Sequence, residues 1–248
     1  MTINIIIGKK SFVTKALLRF VKKTEVFSAN DFNEISIKKI QSKKKINLIF
    51  NNFYPSKLLN DLSYKDYRNF EKLSLESLTS LLSKVSPKKI NKIVYTSSAA
   101  VYRLQENINN LKKDEINREL YSSFKLASEK IVLNYCTKNH VNYYIFRLFN
   151  SFGNSQDPFS FIEKIINSKK KNKKITLINN GNSIRDFIHV NDIGKIYSIF
   201  LNKKISNGIY DLGTGNGYLI RDIVNFINFP NRNIKKKNNI KEIYNSVA

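Results

Sequence analysis

The chain alternates short, unbroken apolar runs with longer stretches in which apolar residues recur every three to four positions. Ile3–Ile7, Ile46–Phe50, residues 93–95 and residues 143–148 are of the first kind, rich in Ile, Val and Phe. Runs of that length without polar alternation suit strands buried on both faces, as in a parallel sheet covered by helices. Residues 13–23, 69–85 and 121–138 carry the second pattern and predict helices, the second of them ended by Pro87. A further strand is predicted near residues 26–28, with room for one helix before Ile46. Strands and helices in alternation specify an α/β architecture, a doubly wound parallel sheet.

After Gly153 the pattern changes. Residues 159–168 read as a helix, 175–178 as a strand, Asn180-Gly181 as a turn and 187–190 as a strand, which together predict a smaller lobe on the carboxyl side of the sheet. GIYDLGTGNG, residues 208–217, reads as a strand and a Gly-rich loop leading into a helix over 220–226. The Lys/Asn-rich stretch 231–239 reads as an exposed loop or linker.

Composition narrows the class. With 248 residues, 42% hydrophobic and 12% aromatic, the chain can bury a sizeable core and is not of disordered type. Its apolar runs fall well short of the roughly 20 residues that cross a bilayer. MTINIIIGKK reads as a first buried strand, not a signal peptide. The single Cys136, on the apolar side of the 121–138 helix, permits no internal disulfide, and both features fit a reducing cytoplasm. Two histidines, His140 and His189, and one cysteine make no metal-site constellation; His189 lies within a strand-like segment and reads as a packing residue.

A net charge of +24 raises the question of nucleic acid or an anionic membrane. The lysines are scattered among Asn and Ile without forming a basic helix or arm, so neither partner is expected. A positive field would equally draw in an anionic small molecule.

In KIVYTSSAAVY, residues 92–102, an apolar strand runs directly into hydroxyl residues, which in a parallel sheet places Ser97 and Ser98 at the carboxyl edge where ligands bind. A serine pair after a strand also serves as a turn or helix cap. Tyr121 and Lys125, four apart on a predicted helix, share one face, which could equally be a solvated one. A tyrosine ionises near pH ~10, so using it as an acid or base calls for a nearby cation.

TSSAAVY, followed about twenty residues later by YSSFK, resembles the extended short-chain dehydrogenase/reductase family, and within it the NAD-dependent nucleotide-sugar epimerases and dehydratases. RLFNSFG at 147–153, NSIRDFIHVNDI at 182–193 and YDLGTG at 210–215 match in the same order and extend the likeness over most of the chain. The resemblance implies a Rossmann-like dinucleotide-binding domain over residues 1–150, rejoined by some later segments, and a smaller nucleotide-sugar-binding lobe over 151–248. It implies that Tyr121 is the catalytic acid/base and Ser98 its hydroxyl partner at the substrate. Lys125 would bind the nicotinamide ribose and lower the Tyr pKa. Asn150 and Arg185 would hold the sugar donor's diphosphate, a role that suits the planar Arg fork. An ion pair of Arg185 with Asp186 or Asp192 is the alternative. The cofactor would be NAD or NADP, with Gly8, Ser11, Phe12 and Val13 at its pyrophosphate and Asp31 at a ribose. A cytoplasmic homodimer through helices 69–85 and 121–138, and a place in polysaccharide biosynthesis, are implied as well.

The chain also departs from the family pattern. Of three glycines in the first loop only Gly8 remains, the others being Ser11 and Thr14. One helix–strand unit is missing between residues 28 and 46, and the final helices of the family are not reached, so the fold is expected to be shortened. Ala99 and Ala100 stand where the dehydratase branch has two acidic residues, which argues against elimination of water. Epimerisation by transient oxidation is therefore the first expectation, reduction of a nucleotide-linked keto-sugar the second, and a catalytically silent nucleotide- or protein-binding relative the third.

Overall fold

A computed structural model of the chain describes residues 2–29, 32–51, 66–104, 113–158 and 160–229. Asp31 and the stretch 231–239, named above, lie outside them. The described residues form two compact units, one of residues 1–148 and 191–211 and the other of residues 149–190 with those from 212 onward.

In the first unit β1 (Ile3–Ile7), β2 (Thr24–Phe27), β3 (Ile46–Phe50), β4 (Ile90–Ser98), β5 (Asn142–Leu148) and β9 (Gly208–Leu212) form one sheet in the order β2-β1-β3-β4-β5-β9. β1 runs parallel to β2 and β3, β3 to β4 and β4 to β5. Ile5, Ile6 and Ile7 are all fully buried, as are Leu48 and Ile49, so successive side chains on opposite faces both meet helices. This is why the strands read as continuous apolar runs. A single helix, α2 (Glu34–Gln41), lies between β2 and β3, and β2 is the edge strand, so the shortened side of the fold is where the sequence placed it. The order reverses between β1 and β3, which opens a crevice at their carboxyl ends.

The predicted helix over 13–23 is α1 (Phe12–Phe20); it stops before Lys23, whose φ of 52° is not helical. The 69–85 helix is α3 (Tyr67–Glu71) and α4 (Ser77–Lys84), made continuous by a π-helical stretch at Lys72–Glu76. α5 (Lys113–Asn139) begins earlier than its apolar periodicity suggested. Its buried face carries Ser122, Lys125, Ser128 and Glu129 beside Val132 and Cys136, and these polar members hide the stripe from a hydrophobic pattern.

In the second unit β6 (Asn150–Phe152) pairs with β8 (Phe187–His189) in parallel, and β7 (Ile184–Arg185) pairs antiparallel with β10 (Tyr218–Leu219). The strand expected over 175–178 is absent: residues 175–177 lie outside regular structure and Ile178–Gly181 is a tight turn, with Asn179 and Asn180 at positive φ. Isolated apolar residues there mimicked a strand. α6 (Phe161–Lys170) and α8 (Ile220–Asn228) flank these pairs, and α7 (Val190–Asn202) returns the chain to the sheet of the first unit. His189 packs edge-on against Phe152, with ring centroids 5.2 Å apart.

Candidate active site

Three consecutive strand ends meet the crevice. Gly8 follows β1 with φ 127°, a conformation that favours glycine, and its carbonyl accepts from Ser11 N at 3.1 Å and from the Thr14 hydroxyl at 2.8 Å. Asn51 follows β3; its backbone N–H bonds Ile7 O at 2.8 Å and its Nδ2 donates to Thr14 Oγ1 at 2.7 Å. Thr14, at the position of the third glycine, therefore ties the first loop to the end of β3. Ser11 is the N-cap residue of α1 but its hydroxyl makes no capping bond. Val13 is fully buried in the core, so its backbone amide in the first turn is the part that could face a ligand.

Three buried polar atoms here have no hydrogen-bond partner among the described residues: Ser11 Oγ, Asn51 Oδ1 and Ser28 Oγ, the last directly after β2. They sit at the carboxyl ends of neighbouring strands β2, β1 and β3 and beside the N-terminus of α1. Buried polar groups are almost always satisfied, so a row of three open ones suits a polar ligand that supplies phosphate and hydroxyl partners. The residues present fit a nicotinamide dinucleotide.

At the carboxyl end of β4 the other expected residues come together. Ser98 accepts from Ala100 N at 3.2 Å, as a cap does, and its hydroxyl lies near enough to the Tyr121 phenol to favour the ionised form. Lys125 is buried; its Nζ donates to Thr96 O at 2.8 Å and lies 5.1 Å from the Tyr95 ring centre and 5.8 Å from that of Tyr121. Burial pushes the Tyr121 phenol up to about 12, with the Ser98 hydroxyl pulling the other way. A lowered Tyr pKa was expected from Lys125, but the ammonium is directed to the Thr96 carbonyl. Burial also pushes Lys125 down to about 7, opposed by the charge of Glu129.

Glu129 is a member that sequence reasoning missed. It stands one turn past Lys125, buried, and its carboxylate accepts from Ser97 Oγ, from Arg147 Nε at 3.1 Å and from Arg147 Nη2 at 2.7 Å. Arg147 stacks on the Tyr102 ring at 4.6 Å, and Tyr102 donates to Asp211 at 2.7 Å. The recurrence of Tyr121, Lys125 and Glu129 at four-residue spacing was the available signal.

In the second unit, Asn150 Nδ2 donates to Asp186 O at 3.0 Å and Arg185 Nη1 donates to Ile184 O at 2.7 Å. The buried Asp186 carboxylate accepts from Thr214 N, Thr214 Oγ1 and Gly215 N at 2.7–2.8 Å. A Cβ at Gly213 would fall 2.5 Å from Asp186 Oδ2, which explains the glycine. No group of three potential metal ligands occurs among the described residues.

The model of the NAD dependent epimerase/dehydratase family matches residues 56–213, a span that holds Ser98, Tyr121, Lys125, Asn150 and Arg185. The chain belongs to this family. Its match begins after the Gly8–Thr14 loop. Among curated relatives, a dTDP-D-glucose 4,6-dehydratase of Dictyostelium discoideum is 26% identical over 62% of this chain and 38% of its own length. An ADP-L-glycero-D-manno-heptose-6-epimerase of Brachyspira hyodysenteriae is 26% identical over 80% of this chain and 64% of its own. The chain thus spans between about a third and two thirds of these two family members. Among solved structures, the UDP-glucose 4-epimerase of Thermus thermophilus in complex with NAD is similar in fold, with TM-score 0.73, 16% identity and coverage of 92% of this chain and 82% of that one. A UDP-N-acetylglucosamine 4-epimerase of Methanobrevibacter ruminantium is similar in the same way, with TM-score 0.72, 18% identity and coverage of 90% and 80%.

Proposed function

We propose that the chain epimerises a nucleotide-sugar with NAD or NADP, Tyr121 moving the hydroxyl proton. The observation that carries this reading is the meeting of the Ser98 and Tyr121 hydroxyls at the end of β4 with the Lys125 ammonium beside them. The dinucleotide, when bound, supplies the hydride acceptor and donor. Tyr121 accepts the proton of the sugar hydroxyl as the carbon is oxidised and returns it as the carbon is reduced on its other face. Ser98 orients that hydroxyl, and Lys125 holds the cofactor ribose. Ser11 and Asn51 offer partners to the pyrophosphate end, and Asn150 and Arg185 hold the nucleotide diphosphate of the sugar.

Ala99 and Ala100 follow Ser98 directly and carry no ionisable group, which favours epimerisation, with keto-sugar reduction second, over loss of water. Thr14 in place of a glycine favours one further reading, a silent relative that binds nucleotide without turnover. Calorimetry separates these from a chain that has lost the site. Saturable binding of NAD or NADP below about millimolar concentration is expected, and no binding of either would overturn both nucleotide readings. The active unit is proposed to be a cytoplasmic homodimer.

A further inference from the structure

We propose that Glu129, with Arg147 as its counter-ion, is a positioning residue for Lys125, holding the ammonium charged and fixed beside Tyr121; this rests on the reading of the site given above. Geometry is its first support. Glu129 and Lys125 are one turn apart on α5, both buried, on the face that meets β4. A carboxylate at such a depth is disfavoured unless its oxygens are satisfied. Here both are: Oε1 by Ser97 Oγ and Arg147 Nε, Oε2 by Arg147 Nη2. Packing alone would be served by an apolar residue.

Among the described residues, Tyr121 and Glu129 face Lys125 from its own helix and Tyr95 does so from β4. Glu129 is in turn backed by Arg147 of β5, and Arg147 by the Tyr102 ring, whose hydroxyl bonds Asp211 of β9. Charges therefore alternate from Lys125 through Glu129 and Arg147 to Asp211. Desolvation drives Lys125 toward the neutral amine, and the Glu129 carboxylate opposes it. Ser97, the residue preceding Ser98, donates to the same carboxylate, so one anion orders both sides of the site.

The test is an NMR titration of the full chain labelled with ¹³C at lysine Cε, the Lys125 signal being assigned by its loss in Lys125→Arg. Glu129→Gln should lower the Lys125 midpoint by about one pH unit or more, and Glu129→Asp should recover part of the loss. A folded Glu129→Gln protein with an unchanged midpoint overturns the proposal. If Glu129→Gln leaves Arg147 buried and unpaired and the protein does not fold, the double variant Glu129→Gln/Arg147→Met removes both charges. Its midpoint should still lie below the wild type, and equality with the wild type overturns the inference. The titration needs neither cofactor nor substrate, so its failure is separate from a failure to turn over.

Discussion

Ser98 has two duties, capping the turn that follows β4 through Ala100 N and meeting the Tyr121 hydroxyl. Ser98→Ala removes both, yet a water can take the place of a hydroxyl in the site. Steady-state rates on a nucleotide-sugar should therefore fall by about tenfold, less than the roughly 10²-fold typical of losing a general acid or base outright. Equal losses for Ser98→Ala and Tyr121→Phe would mean that the serine is itself a proton carrier. The residues of this site differ in how far the sequence revealed them. Ser98, Tyr121 and Lys125 were legible because three residue types at family spacing are far more specific than any one of them. Glu129 and Arg147 were not, because a Glu on a lysine-rich helix and an Arg in a strand look like solvated positions until the sheet buries them together. Thr14 was legible as a lost glycine, whereas its bonds to Gly8 and Asn51 require the chain to return from β3.

Among the elements, α5 carries most of the chemistry and part of the core. Its inner stripe sets Val132 and Cys136 against the sheet, and Tyr121, Lys125 and Glu129 run alongside. Phe70 of α3 meets Phe124 of α5 at 5.2 Å, so the helices flanking this face pack as a pair. α5 also exposes Ile116 and Leu133. Two copies of such a pair make a four-helix interface of the kind proposed for the homodimer. Sedimentation at micromolar concentration should give twice the chain mass, and Leu133→Lys should shift it toward the monomer; a wild-type monomer at high micromolar concentration would contradict the dimer. The main strands were read from uninterrupted apolar runs, because burial on both faces leaves no alternation. Of the short strands, β8 was read at 187–190 whereas β6, β7 and β10 were not, since two or three residues carry no period. The false strand at 175–178 failed for the same reason.

At the scale of the whole molecule, the buried ammonium ties stability to pH. Burial pushes Lys125 down to about 7 in the folded chain from its ordinary 10.5, so the unfolded chain binds more protons between these values and stability rises with pH across that window. Tyr121 acts oppositely at higher pH: folded near 12 against 10.0, it contributes stability that is lost only as pH climbs past 10. Chemical denaturation of wild type and Lys125→Met should therefore show the wild type gaining on the variant as pH rises from about 7 to about 9, by on the order of 1–3 kcal/mol. A constant difference across that range would contradict a buried, desolvated Lys125.

The proposed reaction is tested most directly by NMR-monitored conversion of a nucleotide-sugar, beginning with UDP-glucose, by the wild type and by Tyr121→Phe in the presence of NAD or NADP. The wild type should form the epimer, and the Phe variant, lacking one hydroxyl, should bind the cofactor with unchanged affinity while converting sugar about 10²-fold more slowly or worse. Full activity in Tyr121→Phe would contradict the proposed chemistry even though the fold stands.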